Sequence, residues 1–439
     1  MEHRAHPSIE MMPRQGLKPN PINARKHDDK QLAQIAASIE RFGFLVPIII
    51  DDDDMIAAGH GRWEAAGRLG IDSVPTIRAR FLTDADRRAF ALAENRIAEL
   101  SSWDEDLLAN ELSILFDGGY DLEITGFSTA DLDFSLPEEA VKDKAEEIEL
   151  PDLDARPVSR EGDLWGIVPH RLYCGNARSV ESYETLLGGD RADMVFSDPP
   201  YNVPIDGHVS GLGKHRHREF AEASGEMTAA EFTAFLRTIF RNCVRFASNG
   251  SIHYHCIDWR HIREMLDAAD GVYSGFKQLV VWKKQNAGMG TFYRSQHELL
   301  FVFKSGTAKH VNNFGLGQTG RYRTNVWEHA GANSFRKGRD RDLAAHATVK
   351  PTALVADAIL DCSNRGHLIL DPFSGSGTTL IAAHKTGRRG AAIELDPLHC
   401  DTSIRRLMAA SGLDAIREDG ARFADLEADL AIGEEVDHG

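Results

Sequence analysis

The chain has 439 residues, 42% of them hydrophobic and 27% charged, with a formal net charge of −17. That length leaves room for two or three domains with a core each. No stretch reaches the roughly eighteen apolar residues of a membrane span, and no apolar signal core opens the chain, so a soluble cytoplasmic protein without a membrane partner is expected. Cys174, Cys243, Cys256, Cys362 and Cys400 fall at no paired spacing, which predicts buried thiols and argues against a disulfide framework or a metal site.

The N-terminal third reads as a small α+β unit over residues 17–100. Lys30 to Arg41 has amphipathic helical spacing, Val46 to Ile50 and Val74 to Ile77 are short apolar strands, and Gly59-His60-Gly61-Arg62 opens another helix. With Asn23-Ala24-Arg25-Lys26-His27, this pattern resembles the N-terminal domain of ParB partition proteins and, more distantly, sulfiredoxin. The resemblance implies that Gly59, His60, Gly61 and Arg62 bind nucleotide phosphates at a helix start. The turn has no cysteine, so sulfiredoxin chemistry is not expected. Glu94-Asn95-Arg96 is followed by Ile97 and Ala98 where the ParB pattern has polar and basic residues, which speaks against nucleotide hydrolysis. Phosphate or DNA-backbone binding stays open beside a purely structural turn.

Residues 101–136 read as a helical acidic connector, with Leu107, Leu108, Leu112, Leu115 and Phe116 on one side. Residues 137–157, bounded by Pro137, Pro151 and Pro157, read as a solvated linker. From 104 to 155 the chain carries seventeen acids and two bases.

The next predicted strand, Met194-Val195-Phe196, leads into Asp198-Pro199-Pro200-Tyr201. An acid at a strand end, followed by two prolines and an aromatic ring, sets hydrogen-bond acceptors beside a stacking surface. The exocyclic amine of a base is a poor nucleophile because its lone pair is delocalised into the ring. The Asp198 carboxylate and the Pro199 carbonyl only accept, so both can take hydrogen bonds from that amine and localise its lone pair. Pro199 and Pro200 stiffen the loop, and Tyr201 offers a face to a flipped-out base.

His367 to Leu370 is a further predicted strand, followed by Asp371-Pro372-Phe373-Ser374-Gly375-Ser376-Gly377-Thr378-Thr379 and a helix to Lys385. A strand, a glycine turn and a helix start make a general nucleotide cradle. Gly390 to Ile393 is another apolar strand, and it ends in Glu394, placed like the acid that binds ribose hydroxyls in doubly wound folds.

Together these motifs resemble the amino-directed DNA methyltransferases that use S-adenosylmethionine, over residues 158–415. The catalytic motif precedes the glycine motif, the permuted order of the so-called beta group. That resemblance implies a doubly wound Rossmann-like α/β sheet with a target-recognition insert at about 205–345. It also places Asn176, Lys350, Pro351, Asp371, Phe373, Gly375, Gly377, Thr378 and Glu394 at the cofactor, with Asn176 where the family usually has aspartate. An aspartate before Pro-Pro leans in this family toward adenine N6, and serine toward cytosine N4. No cysteine follows a proline as a cytosine-C5 nucleophile would.

Thirteen lysines and arginines stand against four acids between 277 and 350, interleaved with Trp282, Phe292, Tyr293, Tyr322, Trp327 and Phe335. Lys283, Lys284, Arg294, Arg321, Arg323, Arg336 and Lys337 are therefore candidate contacts to double-stranded DNA. Lys214-His215-Arg216-His217-Arg218 is a second basic tip, and the tail from 425 reads as acidic and frayed. Two functions compete: a site-specific DNA methyltransferase, on adenine N6 or cytosine N4, and a ParB-like partition protein with a vestigial methyltransferase half. The acidic connector offers no basic recognition helix, which counts against the second. A homodimer, a nucleotide in the ParB-like turn and a partner restriction enzyme remain open.

Overall fold

A computed structural model describes residues 8–81, 83–135, 156–203, 223, 225–285, 287, 292–315, 322–329 and 349–437. The chain divides into two compact units at residues 136/137.

In the first unit the described elements are β1 (Ile9–Pro13), α1 (Asp29–Phe42), β2 (Ile48–Ile50), β3 (Ile56–Ala58), α2 (His60–Arg68), β4 (Ser73–Arg78), α3 (Asp84–Ala98), α4 (Glu105–Asp117) and α5 (Thr129–Ser135). The sheet order is β1-β4-β2-β3. Asp28 caps α1 by accepting from the Gln31 amide, which sets the helix start that the sequence pattern lacked. Ile48, Ile50, Ile56 and Val74 are fully buried and form the core with Ala66.

Two expectations change here. The unit begins before residue 17, because β1 pairs antiparallel with β4 from Ile9↔Ile77 to Pro13↔Ser73. Val46, placed in a strand from the sequence, is exposed and precedes β2. In the acidic segment, Leu112, Leu122 and Leu132 close a small core of α4, α5 and the turn between them. Leu107, read on the apolar side, is exposed instead. The predicted linker lies outside the described residues except at Arg156 and Pro157.

The second unit contains β5 (Leu164–Ile167), β6 (His170–Cys174), α6 (Val180–Leu187), β7 (Ala192–Ser197), α7 (Ala229–Phe246), β8 (Ala247–Ile257), α8 (Ile262–Ala269), β9 (Gly275–Lys283), β10 (His297–Lys304), β11 (Val326–Glu328), α9 (Thr352–Cys362), β12 (Leu368–Asp371), α10 (Thr378–Lys385), β13 (Arg389–Glu394), α11 (Pro397–Ser411), β14 (Ile416–Arg417) and α12 (Phe423–Asp437). Among the described residues, ten strands of one sheet run in the order β11-β9-β10-β8-β7-β12-β13-β6-β5-β14. The inner strands β8, β7, β12, β13 and β6 are parallel neighbours.

Alternation along these strands feeds two layers. Val195, Leu370 and Ile393 face α6, α7 and α8, whereas Met194, Phe196 and Ile369 face α9 and α10. This is the doubly wound α/β sheet expected from the sequence. A capping box of Thr228 and Glu231 starts α7, whose buried face runs Phe232, Phe235, Leu236, Ile239 and Phe240. The tail is not frayed over its described length: α12 packs Leu426 and Leu430 on the core around Trp165. All five cysteines are buried and free.

Candidate active site

Because β7, β12, β13 and β6 are parallel neighbours, their carboxyl ends lie along one edge of the sheet. Ser197 hands over to Asp198, Asp371 opens the glycine turn, Glu394 closes β13, and Cys174 leads into Gly175-Asn176. In the register of Ile369↔Met194 and Leu370↔Val195, Asp371 comes level with Phe196, two residues before Asp198 on the neighbouring strand. In doubly wound sheets this edge, beyond the carboxyl ends, is where ligands bind.

Around Asp198 the side chains form a network of two acids, two lysines and a phenol. Tyr201 Oη donates to Asp198 Oδ1 at 2.8 Å and accepts from Lys350 Nζ at 3.1 Å. Lys350 Nζ also donates to Asp198 Oδ2 at 2.7 Å and lies 3.0 Å from Glu298 Oε2. The second oxygen of Glu298 accepts from Lys284. Lys284 and Lys350 both lie over the Trp282 ring, at 4.7 and 5.9 Å from its centre. Lys350 is only 8% exposed, and it is placed by Pro351, the extended residue that starts α9.

The charges follow from these contacts. Burial pushes the Asp198 carboxyl above its usual range, with Lys350 pulling it back and Glu298 adding to the rise. Burial opposes ionisation of Glu298 too, but Lys350 and Lys284 prevail and hold it at about 2. Burial also works against the Lys350 ammonium, yet the Asp198 and Glu298 carboxylates raise it above the ordinary lysine value. Burial, then Asp198, raise the Tyr201 phenol, which stays a donor.

The glycine turn makes the other half. Gly375 sits at φ +54°, and a Cβ built there meets nothing within 4 Å, so the turn faces open space. Its N–H donates to Glu394 Oε2 at 2.7 Å, and Glu394 Oε1 accepts from Asp396 N–H at 2.9 Å. Each carboxylate oxygen keeps a further lone pair for a ligand hydroxyl. Asp371 is 3% exposed, and its Oδ1 accepts from the Phe373 amide at 2.9 Å. Burial pushes its carboxyl up to about 7. The lining is acidic, which suits a cationic ligand better than a phosphate.

The structure gives several of the predicted residues contacts within the protein. Lys350, expected at the cofactor, contacts the Asp198 carboxylate because it enters the site directly before α9. Gly377 packs: at φ +80° its would-be Cβ lies 3.0 Å from Ser403 Cα, so it lets α11 approach. Thr378 is buried, beside Arg406, whose Nη1 donates to Ser376 Oγ at 2.7 Å. Phe373 leans on Phe235, with ring centres 6.1 Å apart. The Asn176 side-chain oxygen accepts from the Arg178 amide at 2.8 Å.

Arg323, expected at DNA, is engaged within the protein. Its guanidinium is held by Asp357 and Asp361 at 2.9 and 3.0 Å and lies over Trp327. Lys284 joins the network around Asp198 through Glu298, and Lys283 pairs with Glu328 at 2.7 Å. Arg294 is exposed. Arg321, Arg336, Lys337 and the basic tip at 214–218 lie outside the described residues.

Residues 192–405 match the DNA methylase family of the N6/N4 type. This part of the chain is a DNA methylase of the N6/N4 family. Its substrate is DNA. Residues 2–96 match the ParB N-terminal domain, and residues 106–161 match a ParB-methyltransferase helix-turn-helix domain. The methylase is 25% identical over 266 residues to the type II methyltransferase M.HpaI of Haemophilus parainfluenzae, covering 56% of this chain and 77% of that protein. The first unit is 46% identical over 76 residues to the ParB-like nuclease domain-containing protein YnaK of Escherichia coli (strain K12), covering 17% of this chain and 87% of that protein. The solved M1.HpyAVI–SAM complex is 18% identical and covers 54% of this chain and 98% of that one, with a TM-score of 0.38.

The methylase site also contains residues that sequence reading passed over. Glu298 had no role in the sequence reading, and Lys284 stood only as a DNA contact. Arg406 and Ser403 of α11 had no local pattern to mark them. The helix-turn-helix match falls on the segment read as connector and linker, whose acidity hid it.

Proposed function

We propose that the chain methylates adenine N6 in double-stranded DNA at a specific site, with S-adenosyl-L-methionine as donor. The observation that carries this reading is the adjacency of Asp198 and the acidic glycine turn on neighbouring parallel strands. Bound S-adenosyl-L-methionine supplies an electrophilic methyl group on a sulfonium. Glu394 would hold its ribose hydroxyls, and Asp371 would face its positive charge. The backbone at Gly375 leaves the approach clear, so these residues fit that cofactor.

The chain's own groups prepare the amine. Asp198 and the Pro199 carbonyl accept its two hydrogens, draw the nitrogen toward tetrahedral geometry and expose its lone pair. Once methylated, the amine would carry a surplus proton, which Asp198, the carboxylate set to accept its hydrogens, would take. Tyr201 donates its hydroxyl to Asp198, and its half-buried ring would stack on the flipped base.

Cytosine N4 is the second reading, since an acid before Pro-Pro favours adenine by family tendency and not by physical necessity. The family includes both specificities. The ParB domain is proposed as an accessory that binds phosphate, from nucleotide or DNA backbone, at Gly59 to Arg62. A role beside a restriction enzyme is proposed from the type II name of the relative. Radiolabel transfer to duplex DNA, followed by digestion to nucleosides, separates N6-methyladenine from N4-methylcytosine. No transfer to any duplex overturns the reading.

A further inference from the structure

The proposed mechanism uses Asp198 as an acceptor and leaves Lys350, Glu298 and Lys284 without a task. Yet Lys350 Nζ sits 2.7 Å from Asp198 Oδ2 and is the cation touching that carboxylate among the described residues. The other groups facing Asp198 are the Tyr201 phenol, the Glu298 and Asp371 carboxylates and the Cys256 thiol. Apart from Lys350 they are neutral or negative. Each anion there, together with burial, favours the protonated form of Asp198. A protonated carboxyl carries a hydrogen on one oxygen and loses the acceptor that an amine requires.

We infer that Lys350 is a positioning residue for methyl transfer: anchored by Glu298, it keeps Asp198 an ionised acceptor aimed at the space the base amine enters. The inference rests on the reading of Asp198 as the amine's acceptor. The geometry gives each member a part. Tyr201 and Lys350 take one lone pair on each Asp198 oxygen, so the carboxylate cannot rotate while further lone pairs stay free for the amine. Glu298 lies 3.0 Å from Lys350 and accepts from Lys284, so the ammonium cannot follow Asp198 into a closed pair. Glu298 also offsets the ammonium's charge as positive charge develops on the amine nitrogen. Glu298 faces Trp282 in the register of β10 on β9, so this anchor is fixed by the sheet and not by a loop.

The test compares wild type, Lys350→Met, Lys350→Arg and Glu298→Gln on a duplex that wild type methylates. In Lys350→Met the acid limb of kcat should move up by one pH unit or more. Its deficit against wild type should shrink at least tenfold between pH 6.5 and 8.5. Lys350→Arg should restore the wild-type profile, and Glu298→Gln should lower kcat without moving the limb upward. Affinity for S-adenosyl-L-methionine by calorimetry should stay within threefold in all variants. A second readout needs no cofactor: in protein carrying 13C-labelled aspartate carboxyls, the Asp198 resonance, assigned by its loss in Asp198→Asn, should titrate at higher pH in Lys350→Met. An unmoved limb and an unmoved resonance overturn the inference, as does loss of cofactor affinity in folded Lys350→Arg. Failure of wild type to methylate any duplex while Asp198 still titrates as stated would instead remove the proposed function.

Discussion

Two turns in this molecule use one backbone device with opposite lining. Gly59, at φ +99°, caps α2 after β3, and Gly377, at φ +80°, caps α10 after β12. In both, a buried strand enters a left-handed glycine and leaves as a short helix. The first turn is lined by His60, Arg62 and His27, with the would-be Cβ of Gly61 3.0 Å from His27 Cε1. The second is lined by Asp371 and Glu394. A glycine turn before a helix therefore names no ligand: in the proposed function, the charge of the side chains around it would separate a site for anions from one for a cationic sulfonium.

The acidic half admits the sharpest tests. Asp198→Ala should reduce methyl transfer by about 10²–10³-fold or more, the scale of losing one charge-stabilising group in a transition state. Affinity for S-adenosyl-L-methionine should hardly change, since the carboxylate acts on the amine. Radiolabel transfer within tenfold of wild type would remove Asp198 from the chemistry. Gly375→Val comes next. Its side chain would project into the open space that the turn faces, and calorimetry should find cofactor affinity reduced by about a hundredfold or more, with a further ~1–2 kcal/mol of stability lost to the left-handed backbone. Unchanged affinity in the folded variant would place the cofactor elsewhere.

Glu394→Gln should cost about ten- to a hundredfold in cofactor affinity, the range for a hydrogen bond to a charged group. The pH dependence has a defined sign. Burial holds Asp371 near 7, so the carboxylate that faces a cation is half formed at neutral pH. Affinity should rise as pH rises through 7, by at most about tenfold per unit, and Asp371→Asn should flatten that slope. A slope of opposite sign would mean that the turn prefers an anion, and the contrast between the two turns would collapse.

How far the site could be read from the chain depends on distance along it. Asp198-Pro199-Pro200-Tyr201 and the glycine turn were legible because proline, glycine and an acid at a strand end impose local geometry. Glu298 was not, since its role depends on Lys350, 52 residues away, and on a register that sets it opposite Trp282. The ion pairs of Arg323 were hidden for the same reason: it stands in a basic, aromatic stretch, but its partners Asp357 and Asp361 come from α9. In the first unit β1 was missed because an exposed edge strand such as Ile9–Pro13 shows no apolar alternation. Asp401 shows how far contacts reach, since its carboxylate accepts from the Val158 and Ser159 amides, more than 240 residues earlier.

The smallest effect on methylation is expected at the basic turn, and it tests the comparison from the other side. Arg62 is half-buried, yet its guanidinium is poorly served among the described residues: Nη2 lies 3.5 Å from the Pro47 carbonyl, and Nε is buried with no hydrogen-bond partner among them. Burial disfavours its charge, with Glu94 the opposing influence. His60 is committed otherwise, because its Nε2 accepts from the Asn20 amide at 3.1 Å, which makes the ring neutral with its hydrogen on Nδ1. A bound phosphate would give Arg62 the acceptors it lacks and would sit at the start of α2. Arg62→Ala should therefore weaken binding of inorganic triphosphate by about tenfold or more in calorimetry. The same variant should leave cofactor affinity and kcat on a short duplex within about twofold, as expected when a changed site shares no partners with the one measured. If Arg62→Ala instead lowers cofactor affinity as much as Glu394→Gln does, the two turns do not act on separate ligands, and the acidic lining is not what selects the cofactor.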